Sequence, residues 1–189
     1  WTFCIVCALF WFLYPLCQAE EKTGAFQKCV ALTFDDGPDK VLTPRLLALL
    51  REENVKATFY LVGLRVLQWP DVVREIQRAG HEIGNHSWSH PNLTRVSRQT
   101  LLREIDMTDR ALKNITGSVP RTIRPPYGAM NRLMLRLFDR PFVLWDVDTR
   151  DWFPHPSPLI KQAMSRVHNG SVILLHDTHS TTITATSDV

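Results

Sequence analysis

Nearly continuous apolar runs alternate along this chain with longer stretches whose apolar residues recur at helical spacing. The runs span residues 30–34, 57–62, 142–147 and 171–175. Short, uninterrupted apolar segments are typical of strands that are buried on both faces of a parallel sheet. Strands that alternate with helices therefore predict an α/β protein.

The helices predicted between these strands have recognisable ends. Their starts are marked by Thr43, Asp71, Ser97 and Ser157, and three of them end before Gly80, Gly117 and Gly170. Serine and threonine are favoured N-caps, proline fits the first turn, and glycine is common just past the last turn.

The composition is that of an ordinary globular domain. Of 189 residues, 44% are hydrophobic and 22% are charged, a balance with which one domain can build its own core. The formal net charge of +3 is too small to indicate nucleic-acid binding. We therefore expect a single domain with no nucleic-acid partner, and we predict a monomer, although the composition does not bear on this.

The first nineteen residues have the features of a targeting segment. Residues 1–16 carry no charge and are mostly apolar, and polar residues follow Ala19 directly. We predict a signal peptide over 1–19, with an uncleaved membrane anchor as the alternative, then a linker over 20–27 and the folded domain over 28–189. The protein would be secreted or held at the cell envelope, and membrane contact would be limited to an uncleaved segment. Cleavage would leave Cys29 as the only cysteine, so no internal disulfide is expected.

Each cluster of polar residues follows a predicted strand, where the short pieces 81–84 and 122–123 are counted with the four longer runs. The clusters are Asp35-Asp36, His86 with His90, residues 124–128, residues 148–152 and His176-Asp177. Because α/β enzymes assemble their sites at the carboxyl ends of parallel strands, we expect the clusters to converge.

Two adjacent carboxylates at the end of a buried strand indicate a cation nearby, because both cannot stay charged and unpaired there. His86 and His90 are four residues apart, a spacing that places both rings on one face of a helical turn. Together with one of the carboxylates they would form a three-ligand set that leaves a position open, as in catalytic zinc sites. The other carboxylate is then free to act as a base.

Each cluster taken alone also fits a purely structural role. Asp35-Asp36 could form a turn, His86 and His90 could be capping or core residues, Arg124 could be a solvated loop residue, Trp152 a core aromatic and His176 a buried, hydrogen-bonded histidine. All of these structural roles would have to hold together to exclude a site.

Five motifs occur in a fixed order. They are Thr33-Phe34-Asp35-Asp36-Gly37-Pro38, His86-Ser87-Trp88-Ser89-His90, Arg124-Pro125-Pro126-Tyr127-Gly128, Asp148-Thr149-Arg150-Asp151-Trp152 and Leu174-Leu175-His176-Asp177. In these motifs the chain resembles the polysaccharide deacetylases, the NodB-homology group also called carbohydrate esterase family 4. The resemblance extends over roughly residues 28–182.

The resemblance implies a role for each of ten residues. Asp36, His86 and His90 would bind one divalent metal ion, zinc with cobalt or nickel as possible substitutes. Asp35 would be the general base, oriented by Arg124, and His176 the general acid, with its pKa tuned by Asp151. The backbone N–H of Tyr127 would help to stabilise the oxyanion, and Leu174 and Trp152 would line the pocket for the acetyl methyl group and the sugar.

The resemblance also implies a fold and a reaction. The fold would be a distorted (β/α) barrel, and the threonine-rich residues 178–189 are expected to lack the helix that closes it in the family. The reaction would remove N-acetyl groups from N-acetylglucosamine or N-acetylmuramic acid residues of a cell-wall polysaccharide, with a metal-bound water as nucleophile. Alternatives are a chitin or chitooligosaccharide deacetylase, an acetylxylan esterase, and a non-catalytic carbohydrate-binding wall module with a structural metal.

Overall fold

The computed structural model of the protein describes residues 29–153 and 156–186. In this part of the chain one sheet contains five parallel strands, β1 (Ala31–Asp35), β2 (Thr58–Leu61), β3 (Glu82–Asn85), β4 (Val147–Asp148) and β5 (Val172–His176). The strands lie in the order β3-β2-β1-β5-β4. With helices along the connections between them, the predicted α/β class is confirmed.

The helices within the described residues are α1 (Leu42–Glu52), α2 (Gly63–Gln68), α3 (Pro70–Arg78), α4 (Arg98–Thr116), α5 (Arg132–Leu137), α6 (Pro156–Met164) and α7 (Ser180–Thr186). The predicted ends hold well for α4, since Ser97 caps it by accepting the N–H of Thr100 and Gly117 ends it with a left-handed φ of 81°. Helices α2 and α7 were not predicted, because six or seven residues are too few for apolar periodicity to appear.

Side chains along β1 and β5 alternate between two packed faces. Phe34 and Ile173 lie in the main core, where apolar residues of α1, α3 and α4 cover the sheet. Asp35 and His176 point to the opposite, inner face, because successive side chains of a strand alternate. The strands are buried on both faces, as expected, but the inner face carries polar residues where the strands end.

The prediction of one strand over 142–147 is wrong. Phe142 forms only an isolated bridge, and the ladder resumes at β4 beside β5. Between these points, Nε of Arg124 donates to the carbonyl of Val143 and Nη2 donates to that of Leu144. These carbonyls bind a buried guanidinium instead of a neighbouring strand, so a continuous ladder does not close the barrel.

Helix α7 lies in the threonine-rich stretch for which the sequence predicted no helix. Ile183 packs against the main core, and Thr182 is fully buried. Threonine is a weak helix former, so the helix depends on these tertiary contacts.

The predicted signal peptide or anchor over 1–19 and the predicted linker over 20–27 lie outside the described residues. Cys29, where the described chain begins, is disulfide-bonded. The expectation of no internal disulfide applied to a chain cleaved after Ala19 and stays a prediction. None of the helices in the described residues is both long and apolar enough to cross a membrane.

Candidate active site

Three potential metal ligands meet beyond the carboxyl ends of β1 and β3. Asp36 follows β1, and His86 and His90 belong to the loop after β3. One carboxylate oxygen and one nitrogen from each ring all lie within 4.8 Å of one another. The structure thus brings together the three residues that the resemblance assigned to the metal.

The donor atoms of this group fit a divalent ion. Nδ1 of His86 lies 2.7 Å from the carbonyl oxygen of Arg124, which can only accept, so Nδ1 carries the proton and Nε2 keeps its lone pair. The Nε2 atoms of His86 and His90 lie 3.4 and 3.1 Å from Oδ1 of Asp36. That oxygen is buried and has no hydrogen-bond partner among the described residues. A cation held between these atoms would satisfy it.

Asp36 also has the charge state that a metal ligand needs. Burial raises its pKa, but the interactions of the carboxylate with His86 and His90 outweigh burial and hold the pKa below its usual range. The carboxylate is therefore ionised at neutral pH.

The backbone between the two histidines is not the helical turn that their spacing predicted. Ser87 and His90 both adopt left-handed conformations, with φ of 64° and 60°. Oδ1 of Asn85 accepts the N–H of Ser87, and the Asn85 amide donates to the carbonyl of Ile105 on α4. A loop that is held by neighbouring elements brings His86 and His90 together, and helical spacing does not contribute.

Arg124 is fully buried and contacts Asp35. Its Nη1 lies 2.8 Å from Oδ1 of Asp35 and also donates to the hydroxyl of Thr33 at 2.7 Å. The guanidinium lies over the ring of Tyr60, 4.2 Å from the centroid. Contacts on its edge and its face fix the guanidinium, and through it the carboxylate of Asp35.

Asp151 holds His176 by two hydrogen bonds. Its Oδ1 lies 2.7 Å from Nδ1 of the ring, and its Oδ2 accepts the backbone N–H of His176 at 2.7 Å. Burial lowers the pKa of His176, but the hydrogen bond to Asp151, its charge and the charges of Asp35 and Asp36 raise it to about 9. His176 is therefore protonated at neutral pH.

Asp35 and His176 occupy directly paired positions on β1 and β5. Paired residues of neighbouring strands project from the same face, so both side chains reach the inner end of the sheet. Oδ2 of Asp35 lies 3.6 Å from Nε2 of His86. A carboxylate, a protonated imidazole and a group of three potential metal ligands thus share one site, which suits a hydrolysis that needs a base and an acid.

The three residues that the resemblance assigned to the substrate differ in exposure. Leu174 is buried on the inner face of β5, two residues before His176. Tyr127 is 67% exposed, its ring packs edge-on against His90 at 4.8 Å, and its φ is 62°. Trp152 is 50% exposed. An apolar floor and two accessible aromatic rings could contact a sugar.

Sequence reasoning missed several buried polar residues that support the site. They are Thr33, Tyr60, Glu104, Asp177 and Thr182. Each acts through a residue already named, and a single threonine, tyrosine or glutamate on an amphipathic element carries no recognisable signal. Thr33 and Asp177 could have been noticed, because Thr33 begins one of the five motifs and Asp177 ends another.

Asp177 supports the turn that carries Asp36. Its carboxyl group is fully buried, and one oxygen accepts the hydroxyl of Thr43 while the other has no partner among the described residues. Burial raises the pKa of Asp177 to about 7. A Cβ atom at Gly37 would lie 2.3 Å from Oδ2 of this carboxyl, so the close approach requires glycine.

Known proteins share this arrangement of sequence and fold. Residues 22–140 match the family model described as polysaccharide deacetylase. The peptidoglycan-N-acetylglucosamine deacetylase PgdA of Listeria monocytogenes is 42% identical over 164 residues, which are 86% of this chain and 35% of that protein. The chitooligosaccharide deacetylase of Azorhizobium caulinodans is 38% identical over 157 residues, which are 80% of this chain and 74% of that protein.

A solved structure extends the likeness to the fold. The peptidoglycan deacetylase PdaC from Bacillus subtilis matches with a TM-score of 0.82 and 37% identity, over 86% of this chain and 81% of that chain. The chain spans only about a third of the length of the Listeria protein, 35%.

Proposed function

Because the chain belongs to the polysaccharide deacetylase family, we propose that it removes N-acetyl groups from a cell-wall glycan by metal-dependent hydrolysis. The preferred substrate is peptidoglycan, at its N-acetylglucosamine or N-acetylmuramic acid residues. One observation carries the proposal: Asp35 and His176 are paired on neighbouring strands, and Asp35 adjoins the group of Asp36, His86 and His90.

Asp36, His86 and His90 hold the metal in this proposal. Two imidazole nitrogens and one carboxylate are a donor set typical of catalytic zinc sites, so zinc is the preferred ion and cobalt or nickel are possible substitutes. When bound, the ion lowers the pKa of a water molecule and polarises the acetyl carbonyl. The unpartnered Oδ1 of Asp36 and the lone pair on Nε2 of His86 support this assignment.

Asp35 acts as the general base. Arg124 occupies its Oδ1 and fixes the plane of the carboxylate. Oδ2 is turned toward the metal-binding group, 3.6 Å from Nε2 of His86. This oxygen is therefore placed to take a proton from the attacking water.

His176 acts as the general acid. The amine must be protonated as its bond to the acetyl carbon breaks, because an unprotonated amide nitrogen is a poor leaving group. Asp151 occupies Nδ1 of the ring, which leaves Nε2 as the nitrogen that delivers the proton. The raised pKa of His176, about 9, supports this role because the ring carries its proton at neutral pH.

The remaining assigned residues bind the reacting group. The backbone N–H of Tyr127 donates to the oxyanion that develops on the acetyl carbonyl. Leu174 provides an apolar surface for the acetyl methyl group, and Trp152 provides a ring for the sugar. The burial of Leu174 and the exposure of Trp152 support this division.

The relatives support peptidoglycan as the first substrate and chitooligosaccharides as the second. The Listeria protein is named for peptidoglycan N-acetylglucosamine, and the Azorhizobium protein for chitooligosaccharide. A peptidoglycan deacetylase works outside the cytoplasm, so we place the protein in the secreted or cell-envelope fraction. That it is a monomer stays a prediction.

Acetate release from peptidoglycan, chitooligosaccharides and acetylated xylan tests the proposal. Wild-type protein loaded with zinc should release most acetate from peptidoglycan, and a chelator should abolish the activity until zinc is restored. Asp35→Asn should lower kcat by about a thousandfold, because the base is lost. Asp106→Asn, at an exposed acid of α4, should leave kcat unchanged.

The outcomes separate the alternatives. If the protein prefers chitooligosaccharides or acetylated xylan, that glycan is its substrate in place of peptidoglycan, and the proposed chemistry is unchanged. Zinc binding without acetate release from any of the three would favour the carbohydrate-binding module. Full activity in the presence of chelator would overturn the mechanism.

A further inference from the structure

The loop that carries His86 and His90 is clamped by one acidic side chain of α4. Glu104 is 7% exposed, and its carboxylate accepts three hydrogen bonds from this loop. Oε2 accepts the backbone N–H groups of Trp88 and Ser89 at 2.9 and 2.8 Å, and Oε1 accepts the Ser89 hydroxyl at 2.8 Å.

The clamped residues lie between the two histidines in sequence. Ser87 and His90 flank them, and both have left-handed φ values that cost free energy in residues other than glycine. Such a conformation persists when surrounding contacts determine it. Glu104 supplies these contacts at the centre of the loop, and Asn85 supplies one at its start.

The clamp depends on the charge of the carboxylate. Both backbone N–H groups and the Ser89 hydroxyl donate to an ionised acceptor, and such hydrogen bonds are about twice as strong as neutral ones. A glutamine of the same size could accept both N–H groups with its oxygen only if its N–H₂ group faced the Ser89 hydroxyl, which would have to reverse and accept. The loop would then be held by neutral hydrogen bonds alone, and the clamp would be weaker.

We propose that Glu104 is a positioning residue of the metal site, which sets the spacing of His86 and His90 from outside the ligand set. This inference rests on the metal site proposed above. Its consequence is that the histidine nitrogens are held ready for an ion before one binds. Loss of the clamp should therefore weaken metal affinity more than it weakens the fold.

Isothermal titration calorimetry of zinc into the metal-free protein tests the positioning role of Glu104. Glu104→Gln should weaken zinc binding at least about tenfold, in line with losses at groups that orient ligands. Glu75→Gln, at an exposed acid of α3, is the matched control and should bind zinc like wild type. The rise in melting temperature on adding zinc should be smaller for Glu104→Gln than for wild type or for Glu75→Gln.

A second variant covers the case in which Glu104→Gln does not fold. Ser89→Ala removes only the hydroxyl that donates to Oε1 and should weaken zinc binding about two- to threefold. If both variants fold, adding Ser89→Ala to Glu104→Gln should cost less than it costs alone, because the two residues share one contact.

Zinc affinity equal to wild type in Glu104→Gln, or in Ser89→Ala where that is the only variant that folds, would overturn this inference and leave the proposed function standing. Absence of zinc binding by the wild-type protein would instead overturn the proposed metal site, and the inference with it.

Discussion

The guanidinium of Arg124 and the carboxylate of Asp35 form an ion pair whose side chains are 0% and 4% exposed. The hydroxyl of Thr33 and the carbonyls of Val143 and Leu144 accept the remaining hydrogen bonds of the guanidinium. A buried pair of this kind is costly to break, because removing one partner leaves the other charge uncompensated. The same contact that orients the proposed base therefore also holds the inner face of the sheet together.

Arg124→Met should destabilise the protein by about 3–5 kcal/mol, since it leaves Asp35 buried without a partner. Urea unfolding of the metal-free protein measures the loss. Arg110→Met is the control, because the pair of Arg110 with Asp106 is exposed and is worth at most about 0.5 kcal/mol. Similar losses in the two variants would mean that burial adds nothing to the Arg124 pair.

The sequence predicted the α/β class and the convergence of the polar clusters, because both follow from patterns that local physics imposes. Apolar runs mark buried strands, and parallel strands bring their carboxyl ends to one edge. Asp36, His86 and His90 lie together as this reasoning required. The residue-by-residue roles came from the resemblance instead, and they stay proposals.

Features that depend on distant contacts could not be predicted. The left-handed conformations in the loop from Ser87 to His90 depend on contacts with α4. The strand is interrupted near Val143 because the carbonyl of Val143 accepts a hydrogen bond from Arg124. Thr182 reaches Asp151 across 31 positions, and such a hydrogen bond leaves no periodic pattern in a single sequence.

The stability of the metal-free protein should depend on the charge of His176. Its folded pKa of about 9 exceeds the usual 6.5, so its stabilising contribution is complete below pH 6.5 and is lost as the pH rises through 9. The full contribution is about 3 kcal/mol. The unfolding free energies of wild type and His176→Gln, measured in urea across this window, should converge as the pH rises. Asp177 titrates near pH 7 in both proteins, so the comparison cancels it. A difference that stays constant with pH would contradict the assigned pKa.

Gly37→Ala should damage both the fold and the metal site. The new Cβ would meet the buried carboxyl of Asp177 at 2.3 Å, which should cost about 1–3 kcal/mol and displace the adjacent Asp36. Gly117→Ala is the control without a clash, because nothing lies within 4 Å of the added atom, although its φ of 81° adds a backbone strain that Gly37 does not have. Calorimetry should show weaker zinc binding only for Gly37→Ala. Unchanged zinc affinity in Gly37→Ala would mean that the turn at Gly37 does not position Asp36 for the metal.

Thr182 connects α7 to the pair that supplies the proposed acid. Its buried hydroxyl donates to Oδ2 of Asp151, the oxygen that also accepts the backbone N–H of His176. Thr182→Val keeps the shape and removes the hydrogen bond, so the pair should lose its fixed orientation and kcat should fall about tenfold at unchanged KM. Thr182→Ser should restore most of kcat. Thr116→Val, whose hydroxyl donates only within and just after α4, should match wild type. If serine fails to restore kcat, Thr182 contributes packing alone, and the orientation of Asp151 has another source.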